Sequence, residues 1–309
     1  MQRQGARCVV SEVSSHAMDQ GRARGVTFDL AVLTNLSRDH LDYHGSLEAY
    51  AAAKRKLFLS EGLRYAVINA DDDFGRALLD AIPPGVAPVA YRLEGEPFAT
   101  RFPAQWVIGR NLQFDAGGMC LDVVTPWGSG RLCCCLLGRF NASNLLATLA
   151  SVCVAGLPFE EAMRRLAHTR TVPGRMEHFD AGPGRPQVVV DYAHTAGALE
   201  AALKSLRAHC RGSLWCVFGA GGDRVRGKRP LMGTVAEQYA DRIVLTDDNP
   251  RTEDSQQIID DVCAGLQRPE AVHIDHNRAH AIGWAMQSAS SDDIVLIAGK
   301  GHETVQIIG

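Results

Sequence analysis

Four short polar runs follow apolar segments in the second half of this sequence. They are Asp191-Tyr192-Ala193-His194, Gly219-Ala220-Gly221-Gly222-Asp223-Arg224, Asp247-Asp248-Asn249-Pro250-Arg251 and Gly299-Lys300-Gly301-His302-Glu303. If the apolar segments are strands of an open α/β sheet, these runs stand at the carboxyl edge, where such sheets bind ligands. In the first half, Glu12 follows one apolar segment, and Asp39 and His40 follow another. Oxygen donors with one imidazole suit Mg²⁺ or Mn²⁺, with water filling the other positions. On spacing alone an Asp-His pair is more often a surface hydrogen bond, and His16 and His44 read equally as loop residues. Lys54 lies further on, in an Ala-rich stretch. It is either an ordinary solvated helix lysine, like Arg55 and Lys56, or one desolvated enough to keep a neutral amine that reacts with CO₂.

Two glycine-rich stretches imitate nucleotide sites. In the run from Gly219, Arg224 occupies the third glycine position of the dinucleotide fingerprint. In 222–229, Arg229 replaces the Ser or Thr whose hydroxyl would hold Mg²⁺ in a phosphate-binding loop. Both are read as decoys, and no true P-loop is found in the sequence.

The elements that must position these residues alternate. Strands are expected at 6–10, 28–33 and 65–69, with helices at 46–58 and 72–81. Ser46 is a suitable N-cap, and 49–54 has high helix propensity. Residues 86–137 form a β-rich excursion, followed by helices at 141–155 and 158–168. Val172-Pro173-Gly174-Arg175 breaks the pattern, so a domain boundary is placed there. Strands at 188–190, 214–218, 243–246, 271–274 and 294–297 then alternate with helices at 195–209, 230–240, 255–265 and 277–288. The alternation implies α/β architecture with doubly wound, mostly parallel sheets.

The chain has 309 residues, which favours two domains. Lys+Arg 32 against Asp+Glu 35 gives a net charge of −3, without the basic excess of a dedicated nucleic-acid binder. No apolar run reaches the ~18–20 residues of a membrane span, and the N-terminus shows no signal peptide. Nine Cys, an odd number, with no Cys-x-x-Cys, imply reduced thiols in a cytoplasm. Cys133-Cys134-Cys135 read as small packing residues on a strand, because neighbours there point to opposite faces.

Glu12-Val13-Ser14-Ser15-His16, the run from Thr34 to Gly45, and Lys54 resemble the central domain of the Mur ligases. Asp191-Tyr192-Ala193-His194-Thr195, Gly221-Gly222-Asp223-Arg224, Asp248-Asn249-Pro250-Arg251 and Gly299-Lys300-Gly301-His302-Glu303 resemble their C-terminal domain. The motifs occur in the family's order over essentially the whole chain and match best the diaminopimelate-adding members.

The resemblance implies a partial central ATPase-type parallel-sheet domain over 1–172 and a Rossmann-like amino-acid-binding domain over 173–309. It implies an ATP-dependent, amide-forming ligase of cytoplasmic peptidoglycan precursor synthesis, monomeric, without a membrane or nucleic-acid partner. Its substrates would be UDP-N-acetylmuramoyl-L-alanyl-D-glutamate, meso-diaminopimelate and ATP. Glu12, His40 and Lys54 match Mg²⁺-site positions, Lys54 as the carbamylated lysine (N6-carboxylysine). His40, Lys54 and Arg175 match catalytic positions. Ser14, Gln20 and Arg22 match positions that hold the UDP-muramoyl dipeptide. Asn141, Asn144, Arg175 and Asp191 match ATP contacts. Arg224, Asp248, Asn249, Pro250, Arg251, Gly299 and Glu303 match the diaminopimelate pocket.

The family's N-terminal uridine-binding domain and P-loop have no counterpart here. The sequence therefore reads as a fragment cut at both ends, expected to be inactive alone. A non-catalytic α/β binding module and a lysine-adding Mur ligase are the competing readings. A dinucleotide-dependent oxidoreductase fails on Arg224.

Overall fold

The computed structural model describes residues 5–6, 8–36, 40–180, 182 and 184–307. The chain divides into two compact units. The first comprises Met1–Asn111, Leu121–Leu132 and Ala142–Leu166; the second comprises Leu112–Cys120, Cys133–Asn141 and Ala167–Gly309.

The first half of the chain begins with α1 (Ser15–Asp19), β1 (Leu30–Leu33), α2 (Leu41–His44), α3 (Leu47–Phe58), β2 (Tyr65–Asn69) and α4 (Asp73–Leu79). Strands β3 (Ala87–Leu93), β4 (Gln105–Asp115), β5 (Gly118–Thr125) and β6 (Gly128–Cys134) follow, then helices α5 (Arg139–Val154) and α6 (Phe159–Ala167). The sheet runs β1-β2-β3-β4-β5-β6, and β1 to β4 pair in parallel. β2 and β3 are nearly continuously buried and apolar, as strands covered on both faces are, whereas β4 to β6 alternate with exposed positions. Ala31, Leu33, Phe58, Ile68, Leu78 and Leu79 form one buried cluster. Ser46 caps α3 by accepting from the Ala49 amide, as expected from its position. Leu47–Phe58 then buries Tyr50, Ala53 and Phe58 along one face.

The second half adds β7 (Glu177–Asp180), β8 (Gln187–Asp191), α7 (Ala196–Arg207), β9 (Leu214–Phe218), α8 (Lys228–Tyr239) and β10 (Arg242–Leu245). It ends with α9 (Ser255–Cys263), β11 (His273–Ile274), α10 (Arg278–Ser288) and β12 (Ile294–Ala298). The strand order is β11-β10-β9-β12-β8-β7, parallel except for the antiparallel edge strand β7. Helices α7, α8 and α9 cover one face over Leu203, Phe218, Met232 and Ile259. Helix α10 covers the other with Ala281 and Ala285, against Trp215, Val217 and Val295. β12 inserts between β8 and β9, so the loops after β8, β9, β10 and β12 share the carboxyl edge at a topological switch point.

Several expectations change. Ala6 and Cys8–Val10 form no strand, and Glu12 sits in irregular chain before α1 rather than at a strand end. The picture of Glu12, Asp39 and His40 converging from two strand ends therefore fails for Glu12; Asp39 lies outside the described residues. His16 and His44 are helical, in α1 and α2, which the polar composition of those stretches conceals. β7 is also new: its Glu177-His178-Phe179-Asp180 lacks an apolar run, and Glu177 to Phe179 on this edge strand are half-buried or exposed rather than buried. The expectation of reduced thiols fails for one pair, since Cys120 on β5 and Cys133 on β6 form a disulfide. Hydrogen-bonded neighbouring strands bring facing side chains within that reach. Among the described residues, no helix is long and apolar enough to cross a membrane.

Candidate functional site

Two groups of predicted residues occur, one in each unit. In the first unit, helix α1 starts at Ser14, whose hydroxyl accepts from the Ala17 amide at 3.1 Å. Gln20 closes the helix and donates from Nε2 to the Tyr43 hydroxyl at 3.1 Å. Tyr43 in turn donates to Asp19 at 3.2 Å, and Lys56 meets the same carboxylate at 2.7 Å. That cation, with the Tyr43 hydroxyl, holds the Asp19 carboxyl below the usual range. Arg22 is exposed in the following turn.

Around these contacts lies an aromatic and imidazole cluster that the sequence did not reveal. His16 packs 4.1 Å from Tyr43, 5.0 Å from His40 and 5.4 Å from His44, measured between ring centres. His44 stacks on buried Tyr50 at 5.2 Å, and its Nε2 lies 3.0 Å from the Ser15 hydroxyl. The Lys54 ammonium stands 5.2 Å from the centre of the Tyr50 ring. Lys54 is half-buried. His40 is exposed and adopts a left-handed backbone, φ 54°. A non-glycine residue held there costs energy and occurs preferentially at functional sites.

Among the described residues, no three His, Cys, Asp or Glu side chains converge to form a metal cage. Magnesium rarely uses such a cage; it keeps several waters and takes one or two carboxylates together with phosphate oxygens. The exposed carboxylate of Glu12 and the exposed His40 fit a part-hydrated ion of that kind.

In the second unit, the four polar runs lie at the carboxyl edge. Asp191 ends β8; its Oδ2 accepts from the Met176 amide and its Oδ1 from the Ala193 amide, both at 2.8 Å. Burial pushes its carboxyl up, and those amides with the Arg175 charge oppose the shift. Arg175 is exposed and its guanidinium carbon lies 4.9 Å from the centre of the Tyr192 ring. Asn141, at the start of α5, donates from Nδ2 to the Leu137 carbonyl at 2.8 Å; Asn144, further along the same helix, belongs to the first unit.

The loop after β9 is laced to the turn after β10. The Gly222 amide donates to the Asn249 carbonyl at 2.9 Å, and the Arg251 guanidinium donates to the Gly222 carbonyl. A β-carbon on Gly222 would lie 1.8 Å from the Pro250 carbonyl oxygen, so only glycine allows this approach. Arg251 itself is left-handed, φ 54°. Glu253 accepts from the Asp223 amide at 2.6 Å, and the Asp223 carboxylate accepts from the Thr252 hydroxyl at 2.6 Å. Arg224 is exposed and lines a polar cleft of about 680 Å³ with Asp223, Arg226, Thr252, Glu253, Asp254 and Gln257.

Gly299 follows β12 with φ +111°, and a β-carbon there would lie 3.3 Å from Asp248 Oδ2. Lys300 reaches both Asn249 and Glu303, at 3.0 and 3.3 Å. Arg224, Asp248, Asn249, Pro250, Arg251, Gly299 and Glu303 thus belong to three loops on adjacent strands β9, β10 and β12.

Three cations in this region escaped the sequence reading. Arg229 is fully buried and pairs with Glu253 and Asp261. The phosphate-loop look-alike therefore ends in a structural ion pair, which explains why an arginine stands there. Arg278 donates to the Ala298 carbonyl at 2.8 Å and the Asp247 carbonyl at 3.4 Å, linking the ends of β12 and β10. Burial lowers its pKa, and the charges of Asp248 and Glu303 oppose this. Lys228 donates to the His194 carbonyl at 3.1 Å; burial and then the Arg224 charge depress its pKa. Each is a polar residue whose burial depends on partners far away in sequence.

Comparison with known proteins gives the family. The model of the Mur ligase middle domain matches residues 1–152, and that of the Mur ligase glutamate ligase domain matches residues 174–301. A curated relative from Coxiella burnetii, named UDP-N-acetylmuramoyl-L-alanyl-D-glutamate--2,6-diaminopimelate ligase, is 51% identical over 308 residues. One of the same name from Alkalilimnicola ehrlichii is 52% identical over 309 residues. Each alignment covers 100% of this chain, but only 62% and 60% of the relative. The chain thus spans about three fifths of the length of the curated relatives it matches. A solved structure with the same ligase name has a TM-score of 0.75 at 40% identity, covering 99% of this chain and 62% of that one. A folylpolyglutamate synthase of Mycobacterium tuberculosis shares the fold at 22% identity, with a TM-score of 0.62. With both domain models matched in order along the chain, the protein belongs to the Mur ligase family.

Proposed function

We propose that this chain serves an ATP-dependent ligase that adds meso-diaminopimelate to UDP-N-acetylmuramoyl-L-alanyl-D-glutamate, as a monomer, in cytoplasmic peptidoglycan precursor synthesis. The observation that carries the reading is the joining of the Gly221–Arg224 loop, the Asp248–Arg251 turn and the Gly299–Glu303 loop at one sheet edge. Diaminopimelate has two carboxylates and two ammonium groups. Arg224 and Arg251 suit its carboxylates, and Asp248 and Glu303 suit an ammonium group. L-Lysine lacks the second carboxylate, so it leaves one arginine without a partner.

The reaction has two steps. The dipeptide γ-carboxylate attacks the γ-phosphorus of ATP, the bond to ADP breaks, and an acyl phosphate forms. The amine of diaminopimelate then attacks the acyl carbon, passes through a tetrahedral intermediate and expels phosphate, with loss of a proton. Such chemistry needs positioning and charge neutralisation more than covalent help. Arg175 supplies positive charge to phosphate oxygens, and Asp191, Asn141 and Asn144 orient the nucleotide. Ser14, Gln20 and Arg22 hold the UDP-muramoyl dipeptide. The Lys54 amine adds to CO₂ and releases a proton, leaving a carbamate: a carboxylate at the end of a long side chain. Glu12, His40 and this carbamate would hold Mg²⁺, which when bound offsets phosphate charge.

The test is ligation by the enzyme that carries this chain, with ATP, Mg²⁺ and the UDP-muramoyl dipeptide. Tripeptide product and stoichiometric phosphate release that depend on meso-diaminopimelate are expected. Product with L-lysine alone transfers the assignment to the lysine-adding branch; no product with either removes it.

A further inference from the structure

We propose that Lys300 is a positioning residue that sets the charge selectivity of the amino-acid pocket. The inference rests on the functional reading above and goes beyond it, because Lys300 belongs to none of the ligand sets argued so far.

All three ammonium hydrogens of Lys300 have acceptors. They are Asn249 Oδ1 at 3.0 Å, the Val305 carbonyl at 3.0 Å and Glu303 Oε2 at 3.3 Å. Asp248 Oδ1 lies 3.7 Å away, and the lysine side chain is only 11% exposed. The ammonium therefore sits among Asp248, Asn249 and Glu303, the polar groups expected to receive a ligand's ammonium. It also ties the turn after β10 to the loop after β12. Two contacts reinforce that tie: Gln306 Nε2 donates to the Asp248 carbonyl at 2.6 Å, and the Ile307 amide donates to Asn249 Oδ1 at 2.9 Å.

The charge consequence follows from the distances. Asp248 and Glu303 are already shared with a cation that belongs to the chain. Arg278, bonded to the Asp247 and Ala298 carbonyls, is close enough for the charges of the same two carboxylates to act on it, and Arg224 and Arg251 stand on the neighbouring loops. Such a pocket gains little from a ligand with excess positive charge. Diaminopimelate, with two ammonium groups and two carboxylates, is neutral overall and supplies an anion to the arginines. Lysine carries a net positive charge and supplies one anion fewer. In a half-buried site this difference is poorly screened, so a resident cation discriminates against the cationic ligand. Removing Lys300 frees two carboxylates to receive a ligand cation and relaxes that discrimination.

The test compares wild-type, K300M, K300Q and K300R enzyme with meso-diaminopimelate and with L-lysine, measuring kcat and KM separately. For K300M, KM for diaminopimelate should rise roughly tenfold with kcat changed by less than about threefold, and the diaminopimelate-to-lysine ratio of kcat/KM should fall about tenfold or more. K300R, which keeps the charge, should keep the ratio near wild type even if KM rises. K300Q keeps a hydrogen-bonding side chain without the charge, so it decides the same point if K300M does not fold. Equal losses for both amino acids in K300M or K300Q, with the ratio unchanged, would reduce Lys300 to a brace between loops and overturn the proposal. A ratio that falls as far in K300R as in K300M overturns it too. Wild-type enzyme that ligates neither amino acid instead removes the functional reading.

Discussion

The guanidinium of Arg229 grips the carboxylate of Glu253 at two points, Nη1 to Oε2 at 2.9 Å and Nη2 to Oε1 at 2.8 Å. The same guanidinium reaches Asp261 at 2.8 Å and the Gly221 carbonyl at 3.2 Å. Glu253 receives the Asp223 amide as well, so the pair fixes the spacing between the loop bearing Arg224 and the turn bearing Arg251. Arg229→Met should cost on the order of 3 kcal/mol in urea unfolding, because it leaves carboxylates without their buried partner. A loss below about 1 kcal/mol would mean that the pair is dispensable.

That ion pair also predicts an acid limb. The Arg229 guanidinium, helped by the Asp223 amide, holds the Glu253 carboxyl down to about 2. A depressed carboxylate contributes stability that is fully present above its unfolded value of ~4.3 and is lost as pH falls toward the folded value. The urea midpoint should therefore drop as pH falls through the window from about 4.5 to about 2. Glu253→Gln should lower the midpoint at neutral pH and flatten this limb. Parallel limbs in the two proteins would assign acid sensitivity elsewhere.

Buried His209 predicts a second pH dependence, nearer neutrality. Its Nε2 accepts from the Gly138 amide at 2.9 Å, and its Nδ1 lies 2.7 Å from the Asp115 carbonyl, as donor. Both ring nitrogens are used by the neutral form, and burial lowers the pKa, with His178 adding to the shift. Below the unfolded value of ~6.5 the unfolded chain binds a proton that the folded chain resists, so stability should fall as pH drops below about 6.5. His209→Ala should cost roughly 1–3 kcal/mol at pH 8 by leaving the Gly138 amide without a partner. It should also remove the pH dependence that sets in below about 6.5. An unaltered profile would exclude His209 as its source.

If Lys54 carries the proposed carbamate, Lys54→Ala in the ligase should abolish most activity, and added small carboxylates should partly restore it by standing in for that carbamate. Lys56→Ala offers the contrast. Its partner is Asp19 at 2.7 Å in a solvent-exposed pair, and such pairs contribute little, so its effect should be mild. Similar activities for the two variants would make Lys54 an ordinary helix lysine.

Arg251→Ala should lower kcat/KM for diaminopimelate by roughly 30- to 1000-fold, corresponding to about 2–4 kcal/mol for a charge-assisted contact, and should leave lysine much less affected. Because Arg251 is left-handed and donates to the Gly222 carbonyl, Arg251→Lys should not rescue it. An unchanged diaminopimelate-to-lysine ratio would place selectivity elsewhere.

The sequence by itself determined most of the regular architecture of the second half. Leu214–Phe218 is read without error because a strand buried on both faces is continuously apolar. The polar strand ends Asp191, Gly219, Asp247 and Gly299 are legible for the same reason: the change from apolar to polar marks the sheet edge. Motif resemblance supplied residues such as Glu12 and Lys54, whose spacing alone is ambiguous. Only the tertiary structure decided where buried charge goes. Arg229, Arg278 and Lys300 look like surface residues in sequence. Their partners Glu253, Ala298 and Asn249 lie 24, 20 and 51 positions away, and no local pattern encodes such a pairing. The imidazole and tyrosine cluster of His16, His40, Tyr43, His44 and Tyr50 was hidden for the same reason. Short helices such as Ser15–Asp19 and Leu41–His44 are too brief for periodicity to show, and packing rather than propensity sustains them.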